Sequence, residues 1–299
     1  MANITLRQLR YFDAVAGHGH FGHAADACGV SQPALSVQIK ELEETLGTTL
    51  FERMPRRIRL TTIGREFLSR TKAILRSVDE LGDLARASQD NLIGQLRIGV
   101  IPTIAPYLLP TIVGQLTREF SGVDIHFRET MTSNLLQDLS EGRIDTAIVA
   151  LPISEPTLTE VTLFKENFVL VRPKSDSSMP VPDRAMLREM RLLLLEEGHC
   201  FRDQALSFCN IQTELSRETL DATSLSTLVQ MVGAGLGVTL IPEMSVAVET
   251  RASNVSVAHF PAPEPTRTIG MIWRKTSPLS QHYLRISEIV RHVNLCVSE

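Results

Sequence analysis

Apolar positions along the chain fall into three regimes, and each predicts a different kind of element. Over the first sixty residues the spacing is helical. Leu6, Leu9, Phe12, Val15 and Ala16 define an amphipathic helix that ends near Gly17 to Gly19. A short second helix around FGHAADACG runs into a turn at Gly29 and Val30. In SQPALSVQIKELEETLG, Ser31 is a cap and Pro33 sits in the first turn, ahead of a buried stripe of Leu35, Ile39, Leu42 and Leu46. A two-stranded wing is predicted between Leu50 and Leu60. The second regime is one long helix from Thr61 to about Asn91. Ile63, Phe67, Ile74 and Leu81 stand four, seven and seven apart, with Leu75, Val78 and Leu84 widening the stripe. About 28 helical residues span roughly 42 Å, with one face too apolar to remain in water. A dimerisation arm is the simplest use of that face; packing within the same chain is the alternative. In the third regime strands alternate with helices. LRIGVI, VDIHFRE, DTAIVA, FVLVRP, RLLLLEE, GVTLIP and TIGMIWRK read as strands, with helical stretches at 106–119, 132–140, 201–209, 224–234 and 278–292.

The pattern predicts an all-α winged helix-turn-helix with a long linker helix, followed by an α/β domain. Its boundaries are 1–62, 63–92 and 93–299. Composition narrows the class. A chain of 299 residues that is 43% hydrophobic and 21% charged is an ordinary globular protein. MANITLRQLRYFDAV shows no basic-then-apolar leader, and no apolar run approaches about 18 residues, so a cytoplasmic location without membrane contact is expected. The net charge of −4 gives no global attraction to nucleic acid. It is uneven, however, with 12 basic and 11 acidic residues in 1–90 against 18 and 23 beyond, so any phosphate contact needs a local patch.

The wing supplies that patch. Arg53, Arg56, Arg57 and Arg59 fall within seven residues that contain no acid, beside the helix that opens at Ser31. On that helix Gln32, Ser36 and Lys40 lie four apart on a polar face suited to base edges or phosphates. A plain surface helix would share this face. The basic ribbon next to it tips the balance to DNA binding, the wing straddling the backbone or entering the minor groove. His18, His20, His23 and Cys28 cluster nearby without the spacing of a structural zinc site, so no metal is expected. No glycine-rich fingerprint follows any strand, IGVIPTIAPYLLP holding one glycine, and no nucleotide cofactor is expected either.

Chemistry concentrates in RLLLLEEGHCFRDQALSFC, Arg191 to Cys209. Cys200 is predicted near a helix N-terminus, where backbone N–H groups favour a thiolate and His199 and Arg202 could add positive charge. Cys209 lies nine residues on, about 13.5 Å along an intact helix. A disulfide tolerates Cα separations only to roughly 6.8 Å, so joining the pair requires the helix to unwind. Two readings stand at this point: a redox switch coupled to shape, or two core cysteines that never meet. Thr103 and Thr132 each follow a strand and offer a hydroxyl, to a ligand or as a helix cap.

The motifs LRQLRYFDAVA, AAD, SQPALSVQIKELEETLG, LFER and LTTIG resemble the LysR-type transcriptional regulators. The effector region resembles that family's two-subdomain domain, built like a periplasmic binding protein. IPTIAPYLLP, EEGHCFRDQALSFC, TSLSTLVQMVGAGLGVTLIP and PEPTRTIG are similar to its hydrogen-peroxide-sensing members. The resemblance implies that Cys200 is the peroxide-reactive thiol and Cys209 its disulfide partner. It implies a peroxide pocket of Thr103, Thr132, His199, Arg202, Asp203 and Arg267. It implies DNA contacts from Ser31, Gln32, Pro33, Ser36, Gln38, Lys40, Arg53, Arg56 and Arg57, and dimerisation through Ile63, Phe67, Ile74, Val78 and Leu81. Expected partners are double-stranded DNA with inverted-repeat half-sites, further copies in a dimer or tetramer, RNA polymerase, and a thiol reductant such as glutaredoxin or thioredoxin. Two departures stand out, His20 where serine or threonine is usual and Cys28 where leucine is usual. Two other classes remain open: a regulator answering to a small metabolite, and a thiol peroxidase.

Overall fold

The computed structural model describes residues 4–54, 57–87, 94–209 and 221–297, with backbone alone for 53–54, 57, 83, 85–87 and 293–297. It divides into two compact units, Met1–Ala85 and Arg86–Glu299. In the first, α1 (Leu6–His18) starts on a reciprocal cap. Gln8 N–H donates to Thr5 Oγ1 at 3.2 Å and Thr5 N–H to Gln8 Oε1 at 3.0 Å. α2 (Phe21–Ala27) and α3 (Gln32–Leu46) follow. Ser31 Oγ accepts the Ala34 N–H, a cap worth about 1 kcal/mol. The wing strands β1 (Phe51–Met54) and β2 (Arg57–Leu60) pair antiparallel, and α4 (Thr62–Ala87) runs for 26 residues. The core is the expected one, with Phe12, Val15, Leu35, Ile39 and Leu42 sealed from water. Phe12 stacks on Phe51 at 5.1 Å and meets Phe67 edge-on at 5.2 Å.

That last contact gives Phe67, which is half-buried, a place in its own unit as well. Its spacing puts it on the stripe of α4, and its ring also packs against the core of its own unit. Much of the rest of the stripe is bare: Ile63, Ile74, Leu81 and Leu84 are 53%, 47%, 67% and 60% exposed, while Leu75 and Val78 are half-buried. Large apolar groups in such a row leave a face that only another surface can cover.

The second unit is a mixed α/β domain with two cores. Its first half holds β3 (Gly94–Val100), α5 (Ala105–Glu119), β4 (Val123–Glu129), α6 (Thr132–Ser140) and β5 (Thr146–Leu151). The 16-residue strand β6 (Leu158–Pro173) then crosses into the second half. That half contains α7 (Arg184–Glu189), β7 (Leu194–Leu195), α8 (Cys200–Cys209), β8 (Asp221–Ala222), α9 (Leu225–Gly233), β9 (Thr239–Pro242), α10 (Val246–Glu249) and β10 (Val255–His259). β11 (Thr266–Arg274) returns to the first half, and α11 (Ser280–Val297) closes against it. The strand order is β10-β6-β11-β5-β3-β4, with β9 also on β6. β3 pairs parallel to β4 and β5, while β11 and β6 run antiparallel. One core surrounds β3, β5 and β11; the other surrounds the end of β6, α8 and α9. This is the two-subdomain arrangement of a periplasmic-binding-protein-like effector domain.

The short α7, β8 and α10 were not expected, and three further elements differ from the sequence reading. RLLLLEE is a strand only at Leu194–Leu195, although Leu192 to Leu195 are all buried, because burial and pairing are separate demands on an apolar run. β6 starts ten residues before FVLVRP, since its first half is polar on one face and lacks a continuous apolar signal. VSVAH, with one buried residue in five, is the missed edge strand β10.

Candidate redox site and nucleic-acid interface

Cys200 is the first residue of α8, as its sequence position suggested. The loop from β7 reaches it through Gly198, whose φ of +96° is the left-handed conformation that side chains disfavour. A Cβ there would also lie 2.9 Å from Met131 Sδ, so this glycine fixes how closely the loop approaches α6.

Two distant side chains, Thr132 and Arg267, act on the Cys200 thiol, and Thr103 joins them through Arg267. Thr103 comes from the turn after β3, Thr132 opens α6, and Arg267 stands on β11. Arg267 Nη1 donates to Thr103 Oγ1 at 2.8 Å and Nη2 to the Thr103 carbonyl at 3.1 Å. Thr103 therefore keeps its own O–H as a donor. The Thr132 hydroxyl is buried with no other partner among the described residues and stabilises the thiolate form of Cys200. The Arg267 guanidinium also lies 5.5 Å over the Phe201 ring.

Electrostatics at this site overturn one expectation. Burial pushes the Cys200 thiol above its ordinary range, more than Arg267, the Thr132 hydroxyl and the Phe201 N–H pull it down. The resting group is a thiol, because a helix N-terminus does not offset the desolvation of an anion. A protonated thiol with a high pKa becomes a strong nucleophile once its proton leaves.

His199 and Arg202 do not add the positive charge that the sequence suggested. Burial lowers the His199 pKa, with Glu196 opposing, so the imidazole is neutral at pH 7. Arg202 is buried and tied to the Leu195 carbonyl at 2.8 Å and Asp221 Oδ1 at 2.7 Å, which fastens β7 to β8. Asp203 is exposed on α8, and its charge raises the Cys200 pKa. The cation at the thiol is Arg267 alone of the three expected.

Cys209 closes α8 from within the second core, fully buried. Its carbonyl accepts Arg188 Nε–H at 2.9 Å. Burial raises its pKa to about 11, against the opposing charges of Arg184 and Arg188. Both cysteines are free, on one intact helix.

Sequence reasoning missed two features here. Glu166 on β6 binds Arg267, and it fell in a stretch left without an element. A cavity of about 330 Å³ adjoins the site, lined among others by Thr103, Tyr107, Glu129, Met131, His199 and Glu249. Tyr107 O–H donates to Glu249 Oε1 at 2.6 Å across it. No local signal marks either, since their partners lie over 100 residues away in sequence.

In the first unit Gln32 and Lys40 are exposed on α3, with Pro33 exposed at its start and Ser36 and Gln38 half-buried. Gln38 Nε2 donates to Glu41 Oε2 at 2.7 Å, and Lys40 pairs with Glu44 at 3.4 Å, so part of this face is engaged within the helix. Arg53 and Arg57 lie on the paired wing strands, their side chains outside the described residues; Arg56 lies outside them entirely. Arg59 is exposed on β2. His20 explains itself as a cap: its Nδ1 accepts the Gly22 N–H at 3.0 Å, the task a serine or threonine hydroxyl would perform.

Known proteins match both units. The model of bacterial regulatory helix-turn-helix proteins of the lysR family covers residues 6–65, and the LysR substrate binding domain covers 89–294. A probable hydrogen peroxide-inducible genes activator of Streptomyces viridosporus is 42% identical over 96% of this chain and 93% of its own length. The DNA-binding transcriptional dual regulator OxyR of Escherichia coli K12 is 39% identical over 96% and 95%. Among solved structures, a full-length OxyR variant from Pseudomonas aeruginosa matches with a TM-score of 0.78 and 35% identity, covering 97% of this chain and 95% of that one. A peroxide-bound OxyR variant from Corynebacterium glutamicum matches at 0.67 and 32%, covering 97% and 92%. With both units matched by family models and relatives 42% and 39% identical over 96% of its length, the chain belongs to the LysR family of bacterial regulators.

Proposed function

We propose that this chain is a hydrogen-peroxide-sensing transcriptional regulator of oxidative-stress defence genes, switched by a reversible Cys200–Cys209 disulfide. It is a regulator rather than an enzyme. The observation that carries the reading is that Thr132 and Arg267, the latter bound to Thr103, act on a half-buried cysteine whose companion lies on the same helix. Those donors suit an oxygen that gains negative charge, which a purely structural thiol has no use for.

The chemistry balances in two steps. The Cys200 sulfur attacks one peroxide oxygen, an S–O bond forms and the O–O bond breaks. The departing oxygen takes the thiol proton and leaves as water, so sulfur loses two electrons and peroxide gains them. The Cys209 sulfur then attacks the sulfenic sulfur, the S–S bond forms, and a second water leaves. A thiol reductant such as glutaredoxin or thioredoxin would reverse it.

In this reading residues 1–62 bind DNA, 63–92 pair two copies, and 93–299 sense peroxide. Ser31, Gln32, Pro33, Ser36, Gln38 and Lys40 meet the major groove, with Arg53, Arg56 and Arg57 on phosphate. The bare stripe of α4 supports a dimer, and a tetramer on inverted-repeat half-sites follows from two-fold pairing. The protein acts in the cytoplasm, where thiols rest reduced, and contacts RNA polymerase. No helix among the described residues is long and apolar enough to cross a membrane.

The test joins peptide mass mapping of thiol-blocked samples to promoter binding, before and after stoichiometric peroxide. Cys200→Ser is expected to fold and bind DNA yet ignore peroxide. Cys209→Ser is expected to stop at the sulfenic acid or a mixed disulfide. Oxidation without a Cys200–Cys209 linkage, or a linkage that leaves DNA contacts unchanged, sinks the reading. The 330 Å³ cavity supports a second one, in which a small metabolite sets the state. Saturable binding of an organic ligand with DNA binding indifferent to peroxide would favour it.

A further inference from the structure

We propose, resting on the reading of Cys200 as the peroxide-reactive thiol, that Glu166 is a positioning residue: it holds the Arg267 guanidinium in the orientation that serves the reaction. The two residues are direct cross-strand neighbours on β6 and β11. Arg267 Nε donates to Glu166 Oε2 at 2.7 Å, and both side chains are buried, 0% and 5% exposed. The second oxygen, Oε1, accepts the Met244 N–H at 3.1 Å.

A guanidinium has five N–H donors. Three are spent, one on Glu166 and two on Thr103. One N–H on each terminal nitrogen has no partner among the described residues, and these are the donors available to an oxygen bound beside Cys200. Their direction is set by the plane of the group. Thr103 pins only the terminal-nitrogen edge, and Phe201 supports the face. Glu166 pins the remaining edge. Without it the guanidinium can turn, and donors aimed at the departing oxygen lose their aim at the moment charge develops there.

The carboxylate is specific to this task. Each of its oxygens accepts one N–H, from Arg267 and from Met244. An amide of the same shape replaces one acceptor with a donor, so one of those two N–H groups would face another N–H. Glu166 also neutralises a buried cation that would otherwise stand unpaired.

The experiment uses the reduced full-length protein. Cys200 oxidation by peroxide is followed by rapid quenching with a thiol-blocking reagent and peptide mass analysis. Alkylation by iodoacetamide is measured in parallel across pH; it reports the thiolate but has no oxygen leaving group. Glu166→Gln is expected to slow peroxide oxidation about tenfold, with about threefold as the dividing line, while alkylation of the ionised thiol stays unchanged. In an Arg267→Ala background the same substitution should do nothing further, because it acts through Arg267. Slowing of less than about threefold, an equal slowing of alkylation, or additive effects in the double variant overturns the proposal. If circular dichroism shows Glu166→Gln unfolded, Glu166→Asp, which keeps the charge but retracts it, is judged by the same line. A wild-type Cys200 inert to peroxide would instead refute the sensing reading itself, so the two failures are distinct.

Discussion

If Cys200 and Cys209 join, Phe201 must leave its pocket, and the redox potential should record the cost. On an intact α8 the two Cα atoms are separated by about 13.5 Å of rise, and a disulfide needs them within roughly 6.8 Å. The helix between them therefore unwinds. Phe201 and Leu206 are 2% and 5% exposed, Phe201 packing edge-on against Phe168 at 5.0 Å. Exposing each costs about 1.5–3 kcal/mol, together about 3–6 kcal/mol. For a two-electron couple about 1.4 kcal/mol corresponds to 30 mV, so the pair should be about 65–130 mV more oxidising than an unstrained disulfide. Phe201→Ala removes roughly half of that burial from the reduced state. Its potential should fall by about 30–65 mV. The measurement is equilibration in glutathione buffers of graded ratio, acid quenching, thiol blocking and quantification of the linked peptide. A potential that stays put, or moves the other way, would mean that Phe201 keeps its burial in the oxidised form and that α8 does not come apart.

Removing Arg56 and Arg57 together should weaken binding to specific and random DNA alike and flatten the salt slope by about 1.8 per bound subunit, measured by titration at several salt concentrations; an unchanged slope removes both from the phosphate contacts. Replacing Gln32 should erode discrimination between operators more than general affinity, which competition with random DNA would show. Ile74→Glu or Leu81→Glu should lower both assembly, by light scattering at micromolar protein, and DNA affinity, because each buries a charge in the α4 pairing face. The Cys209 thiol has its pKa raised in the folded state, which holds the proton more tightly than the unfolded chain. Its contribution to stability is full below about 9 and lost as pH rises toward about 11. Thermal melts of the reduced protein should fall over that window, and less steeply in Cys209→Ala; parallel curves would show that the thiol is not linked to folding.

Much of the fold was legible because its signals are local. Ser31, Pro33 and the Leu35–Ile39–Leu42 stripe announce α3 within one stretch of chain, and the structure caps and buries them accordingly. The same holds for α6, whose bounds of 132–140 match the expected ones. β10 and the first half of β6 were not legible, because an edge strand and a half-polar strand are defined by their neighbours rather than by their own pattern. The candidate site divides in the same way. Cys200 and Cys209 stand out in sequence because both chemistry and spacing are visible there. Glu166 is not visible, since nothing near it in the chain indicates that Arg267 will be its neighbour.

The sequence by itself determined the helices and wing of the first unit, the longer helices and apolar strands of the second, the position of Cys200 at a helix start and the nine-residue step to Cys209. These depend on backbone geometry and residue type over a few turns of chain. Only the tertiary structure decided which charges meet at the thiol. It brought Arg267 to Cys200 and turned Arg202 away to Asp221. It left His199 neutral and kept Cys200 protonated. The reason is physical: desolvation and Coulomb energies depend on everything packed around a group. At this site the packing is supplied by β3, α6, β6 and β11, elements that the chain visits tens of residues apart.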